Sequence, residues 1–169
     1  MMDMKPLVVY YSRTGNTRMV AEKIASLLGC ELAEIVDLKN RKGLFGFLGA
    51  GYSSYTRKLT QIKAPDQDPS AYDLIVVGTP IWAGNITPAV RTYLTKIVPE
   101  VAQEKKYALF YTSYSSEQPK AVKDFCTLIK GDPVAKLSVL HKDVKSGKFD
   151  PQVQAFVEAL RSSEKEKSS

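Results

Sequence analysis

The chain has 169 residues, of which 44% are hydrophobic and 25% charged, an ordinary globular composition that excludes a disordered or fibrous chain and predicts one compact domain. Lysine and arginine number 24 against 18 aspartates and glutamates, a net charge of +6. The excess is local: residues 39–63 hold Lys39, Arg41, Lys42, Arg57, Lys58 and Lys63 with no acid, and the rest of the chain balances, which speaks against a nucleic-acid footprint.

The first apolar run, Leu7-Val8-Val9-Tyr10-Tyr11, predicts a buried strand that ends in Ser12-Arg13-Thr14-Gly15-Asn16-Thr17. Val20, Ile24, Leu27 and Leu28 then follow a helical spacing that stops near Gly29. A second strand fits Glu31 to Leu38. The next segment, 39–63, carries Gly43, Gly46, Gly49 and Gly51 among Leu44, Phe45, Phe47, Leu48 and Tyr52. That glycine density predicts a basic insert with no regular helix, where a crossover helix would otherwise lie.

Leu74-Ile75-Val76-Val77 predicts the third strand, opening into Gly78-Thr79-Pro80-Ile81-Trp82-Ala83-Gly84. Thr87-Pro88 starts a helix with Val90, Leu94, Ile97 and Val98 on its inner face. Tyr107 to Tyr111 is the fourth strand, followed by the loop Thr112 to Glu117 and a helix with Val122, Phe125, Cys126 and Ile129. A fifth strand lies near Val134 to Leu140. Asp150-Pro151 caps a last helix with Val153, Phe156, Val157 and Leu160, and residues 162–169 read as a polar, frayed tail after a single domain spanning 1–161.

Short, nearly all-apolar strands alternating with amphipathic helices predict an α/β fold, a parallel sheet covered on both faces. Ligands of such sheets bind beyond the carboxyl ends of the strands, so loops 12–17, 79–85 and 112–118 are expected to meet at one edge. The first is built for an anion. Its backbone N–H groups open a helix, Gly15 permits close approach, and Ser12, Thr14, Asn16 and Thr17 offer neutral donors. A Walker loop would need Gly-Lys-Ser/Thr, which is absent, so a terminal phosphate fits better than a magnesium nucleotide.

With these residues in view, the chain resembles the flavodoxin family. Ser12-Arg13-Thr14-Gly15-Asn16-Thr17 matches its phosphate loop, and Gly78 to Gly84 matches its ring-contacting loop. The resemblance implies a flavodoxin-like three-layer sandwich with a five-stranded parallel sheet of order 2-1-3-4-5, and FMN as cofactor. It implies electron transfer through the bound flavin. The alternative is an FMN-dependent NAD(P)H:quinone oxidoreductase on the same fold. The cofactor-binding set it implies is Ser12, Arg13, Thr14, Gly15, Asn16, Thr17, Thr79, Pro80, Ile81, Trp82, Ala83, Gly84, Asn85, Thr112, Ser113 and Tyr114. Trp82 is expected to stack on the ring, Tyr114 to cover its second face, and Gly84 to permit a redox-linked peptide flip. The third loop departs from the family's Gly-Asp pattern, and Ser116 reads there as a helix cap.

No side-chain acid, base or nucleophile is required, since the flavin does the chemistry. Cys126 reads as core, and neither Cys30 nor His141 as essential. Two cysteines and one histidine argue against a disulfide framework or a metal site. A receiver domain of the same topology is excluded, because Tyr10, Tyr11 and Thr79 stand where it needs acids. The lack of a signal-peptide layout and of an 18-residue apolar run predicts a cytoplasmic protein without a membrane span. The basic insert suggests a redox partner with an acidic docking surface.

Overall fold

The computed structural model describes residues 3–39, 58–98 and 105–166. Most of the basic insert, 40–57, lies outside the described residues, and so does the expectation about its helix.

The strands β1 (Pro6–Tyr10), β2 (Glu31–Glu34), β5 (Leu74–Trp82), β7 (Lys106–Ser113) and β8 (Lys136–Leu140) form a parallel sheet in the order β2-β1-β5-β7-β8. This is the expected 2-1-3-4-5 order. Two additions modify it. The strand expected over Glu31 to Leu38 breaks at Ile35, and its continuation β3 (Val36–Asp37) pairs antiparallel with β4 (Ile62–Lys63) as a separate ribbon. β6 (Asn85–Ile86) adds a sixth strand by folding back on the end of β5.

Alternation along the strands divides the core. Leu7, Val9, Ile75, Val77 and Leu109 face one way, under α2 (Pro88–Thr92), its π-helical continuation Tyr93–Ile97, and α3 (Pro119–Ile129). Val8, Tyr10, Leu74, Val76, Ala108 and Phe110 face the other way. They lie under α1 (Asn16–Leu28), α4 (His141–Ser146) and α5 (Asp150–Lys165). Each apolar side chain fully buried in this way contributes roughly 1.5–3 kcal/mol. The expected inner faces of α1, α2 and α5 are buried or partly buried, and all four of Val153, Phe156, Val157 and Leu160 are in the core.

Three differences stand out. Residues 162–166 are not a frayed tail: α5 runs to Lys165, Met4 donates its backbone N–H to Glu164, and Lys106 donates to the Ser163 carbonyl. Cys126 is only half-buried, because α3 turns Ala121, Asp124 and Phe125 inward instead. Asp124 is inside because it meets Arg91 of α2 in a buried ion pair across the helix interface.

Candidate functional site

At the carboxyl end of the sheet lies a cavity of about 380 Å³, within the usual range for small-molecule sites. It is assembled from four chain segments.

The first is Ser12 to Thr17. Gly15 has a φ of 96°, a left-handed value that a side chain would resist, and it is the N-cap of α1. Its N–H donates to the Ser12 hydroxyl at 3.1 Å, which folds the loop back on itself. No side chain caps the helix and no acid stands in its first turn, so the positive end of α1 is left for an anion. Thr17, 1% exposed, bonds through its hydroxyl to the Thr112 hydroxyl at 2.8 Å and ties the loop to the end of β7.

The second is the β5–β6 hairpin. It was expected as a loop, because Gly78-Thr79-Pro80 interrupts the apolar run. The strand continues through it, with Thr79 and Pro80 paired to Tyr111 and Thr112 of β7. Trp82 and Asn85 then pair across a two-residue turn. Its central residues, Ala83 (φ 49°) and Gly84 (φ 74°), both have positive φ, the type I′ pattern. Trp82 is half-buried and braced by Tyr11, ring centroids 5.7 Å apart and planes at 85°.

The hairpin fixes what a flip of the 83–84 peptide would require. Rotating the 83–84 peptide converts type I′ to type II′, which demands φ near +60° with ψ near −120° at the first central residue. That residue is Ala83, and only glycine adopts that region readily. The obstacle is therefore the Ala83 Cβ. Replacing Ala83 with glycine relieves the left-handed alanine and is expected to stabilise the hairpin by about 1 kcal/mol. An unchanged or lower urea midpoint would contradict this.

The third segment is the end of β7 and its loop. Thr112 lines the cavity, and Tyr114 stands at its mouth, 85% exposed. The loop is bonded to itself: Ser113 donates to the Ser115 carbonyl, and Tyr111 donates to the Ser116 carbonyl at 2.9 Å. Gln118, not Ser116, holds the N-cap of α3.

The fourth segment, α4, was not expected. His141 and Lys145 line the cavity, four residues apart on one helix face. The His141 ring meets Tyr114 edge-on, with centroids 4.4 Å apart. Burial first, then the Lys145 charge, hold the His141 pKa below the ordinary histidine value, against a weaker pull from the Thr112 backbone. This favours the neutral imidazole.

Eleven expected residues thus line one cavity: Ser12, Arg13, Thr14, Asn16, Thr17, Pro80, Ile81, Trp82, Ala83, Thr112 and Tyr114. Five do not. Gly15 and Gly84 shape the two turns. Thr79, Asn85 and Ser113 lie behind the wall. Thr79 donates to the Pro80 carbonyl at 2.8 Å and accepts from the Thr87 N–H, and the Asn85 amide donates to the Ala83 carbonyl at 2.9 Å. The lining combines hydroxyl and amide groups with two cations, Arg13 and Lys145, and the apolar side chains of Ile81 and Trp82. Among the described residues no carboxylate lines it.

The two thiols stand outside it. Burial raises the Cys126 pKa and pushes Cys30 up to about 11, so neither is an activated nucleophile. Among the described residues no cluster of metal ligands occurs, and no helix is long and apolar enough to cross a membrane.

Comparisons with known proteins agree with this geometry. The family model described as a flavodoxin domain matches residues 7–169. A comparison with curated protein sequences gives no match. A Lactobacillus acidophilus flavoprotein solved in complex with FMN is 26% identical, with a TM-score of 0.66 over 86% of this chain and 97% of that one. Oxidised flavodoxin 1 from Bacillus cereus shares the fold at 20% identity and a TM-score of 0.55, covering 92% and 97% of the two chains. A WrbA-like flavodoxin from Agrobacterium tumefaciens shares it at 16% identity and a TM-score of 0.54, covering 93% and 99%.

Proposed function

The chain belongs to the flavodoxin domain family, and from that premise we propose that it binds FMN in the cavity and transfers electrons through it. The observation that carries the reading is one space of about 380 Å³ lined both by the hydroxyl and amide side chains at the start of α1 and by Ile81 and Trp82. A flavin mononucleotide has a phosphate for the first and a flat aromatic ring for the second.

In this reading Ser12, Thr14, Asn16 and Thr17 hold the phosphate with hydroxyl and amide donors and the start of α1. Ile81, Trp82 and Ala83 present the ring surface, with Trp82 held upright by Tyr11, and Tyr114 covers the open side. The bound flavin supplies one- and two-electron redox chemistry. The protein's residues bind it, exclude water from one face and set the electrostatic field around it. The Lactobacillus protein's complex with FMN supports the choice of cofactor.

The proposed partner is a redox protein with an acidic docking surface, on the charge of residues 39–63, and the proposed setting is the cytoplasm, where two free cysteines stay reduced. The test is the visible spectrum of the purified protein, with heat release and identification of the chromophore. About one FMN per chain is expected. A protein that stays colourless after incubation with FMN overturns the reading. Sustained turnover of NAD(P)H with a quinone would move the function from carrier to reductase.

A charge change checks the phosphate end separately. Asn16→Asp keeps the side chain's shape and suits the first turn of a helix. It sets a carboxylate against a phosphate, and the repulsion is expected to raise the Kd for FMN by roughly tenfold or more. Riboflavin, without the phosphate, should bind as before. Equal losses for both flavins would place the phosphate elsewhere.

A further inference from the structure

Neutral donors and a helix start explain how the loop at 12–17 meets a phosphate. They leave α4 unexplained. That helix is short, it follows an edge strand, and the cavity nonetheless includes two of its six residues. The sheet register brings it there. Ser113 pairs with Leu140, so His141 begins α4 directly beside the end of β7. On that same strand end, the hydroxyls of Thr112 and Thr17 are hydrogen-bonded to each other. α4 and α1 belong to the same layer of the core, on one face of the sheet. The start of α1 and the face of α4 that carries His141 and Lys145 therefore lie on one side of the sheet, while Trp82 packs against the core on the other.

We infer that Lys145 is a specificity-determining residue for this site, an electrostatic counter-wall to the 12–17 loop that selects a doubly charged terminal phosphate. The inference rests on the flavin reading above and deepens it. Among the described residues Lys145 makes no ion pair, and no carboxylate lines the cavity to neutralise it. His141, one turn earlier on the same face, packs edge-on against Tyr114 and its burial disfavours the charged form, so it shapes the wall while Lys145 carries its charge. The bland alternative for a lysine in the last turn of a helix is compensation of the helix dipole, which would leave ligand affinity untouched.

The experiment compares wild type, Lys145→Gln and Lys145→Arg as full-length proteins stripped of flavin. Each is titrated with FMN and with riboflavin, and each is melted with and without inorganic phosphate at matched ionic strength. Lys145 is exposed, so both variants should fold, and equal melting temperatures without ligand check that. The expected result is a five- to fiftyfold weaker FMN complex for the glutamine variant, the scale of one partly screened charge on a dianion. Riboflavin affinity should be unchanged, and the arginine variant should bind within about threefold of wild type. Phosphate should raise the melting temperature of wild type more than that of Lys145→Gln. FMN binding that ignores the substitution overturns the inference, as does an equal loss for FMN and riboflavin. If wild type binds no flavin yet phosphate stabilises it through Lys145, the counter-wall stands and the flavin reading falls. If neither flavin nor phosphate binds, both fall.

Discussion

Asp124→Ala is expected to destabilise the protein by about 3–5 kcal/mol, the usual cost of stranding one member of a buried ion pair. The side chains of Arg91 and Asp124 are 8% and 9% exposed, so the guanidinium left behind cannot turn to water without parting α2 from α3. Removing the partner therefore costs more than the pair contributes. The pair is itself incomplete, since Arg91 Nε is buried without a hydrogen-bond partner. A double replacement, Arg91→Met with Asp124→Leu, is accordingly expected to recover most of the loss. Urea unfolding of the two variants checks both statements, and a loss below about 1 kcal/mol for Asp124→Ala would show that the pair is solvated.

Gly78→Ala is expected to cost about 3 kcal/mol, at the upper end of the range for overpacked cores. Gly78 lies in the middle of β5, paired with Tyr10 on one side and Phe110 on the other. The Phe110 ring lies across it: a Cβ there would sit 2.0 Å from the ring carbon Cζ. Phe110 is fully buried and cannot swing away, so the ring must push neighbours on α1 and α5, or β5 must shift. Shortening the ring to leucine in the same chain should return part of the loss, because the two residues share one space and their effects do not add. Denaturant midpoints of the two singles and the double measure this coupling. Additive costs would mean that the strand, not the ring, gives way. A shift of β5 would also move Pro80 to Trp82, so flavin affinity should fall with stability only in that case.

The parallel α/β layering was legible because every central strand is a short β-branched or aromatic run, and every flanking helix except α4 repeats its apolar residues at helical spacing; the strand order came from the resemblance of two loops to the flavodoxin family. The β5–β6 hairpin was not legible, because Gly78, Thr79 and Pro80 carry the composition of a turn. Here the glycine answers a packing need of Phe110, and Thr79 is consumed by bonds to Pro80 and Thr87. Eleven of the site residues follow from two local motifs and a third loop. His141 and Lys145 do not, since a six-residue helix has too little periodicity to read and only the register of β8 against β7 brings it to the cavity. Arg91 and Asp124 gave no signal either. Each is a charged residue beside apolar ones in its helix, and the two stand 33 positions apart in sequence, so their pairing depends on how two separate helices meet.

The division of the core by the sheet has a further consequence. The start of α1 belongs to one apolar cluster, and Ile81 and Trp82 pack against the other. A ligand gripped by both is a clasp between two layers on opposite faces of the sheet. Local opening of either layer must first let go of the ligand, so occupancy raises the threshold for both together. At a hundredfold excess over its Kd the gain is about 2.7 kcal/mol, and it stabilises both layers at once.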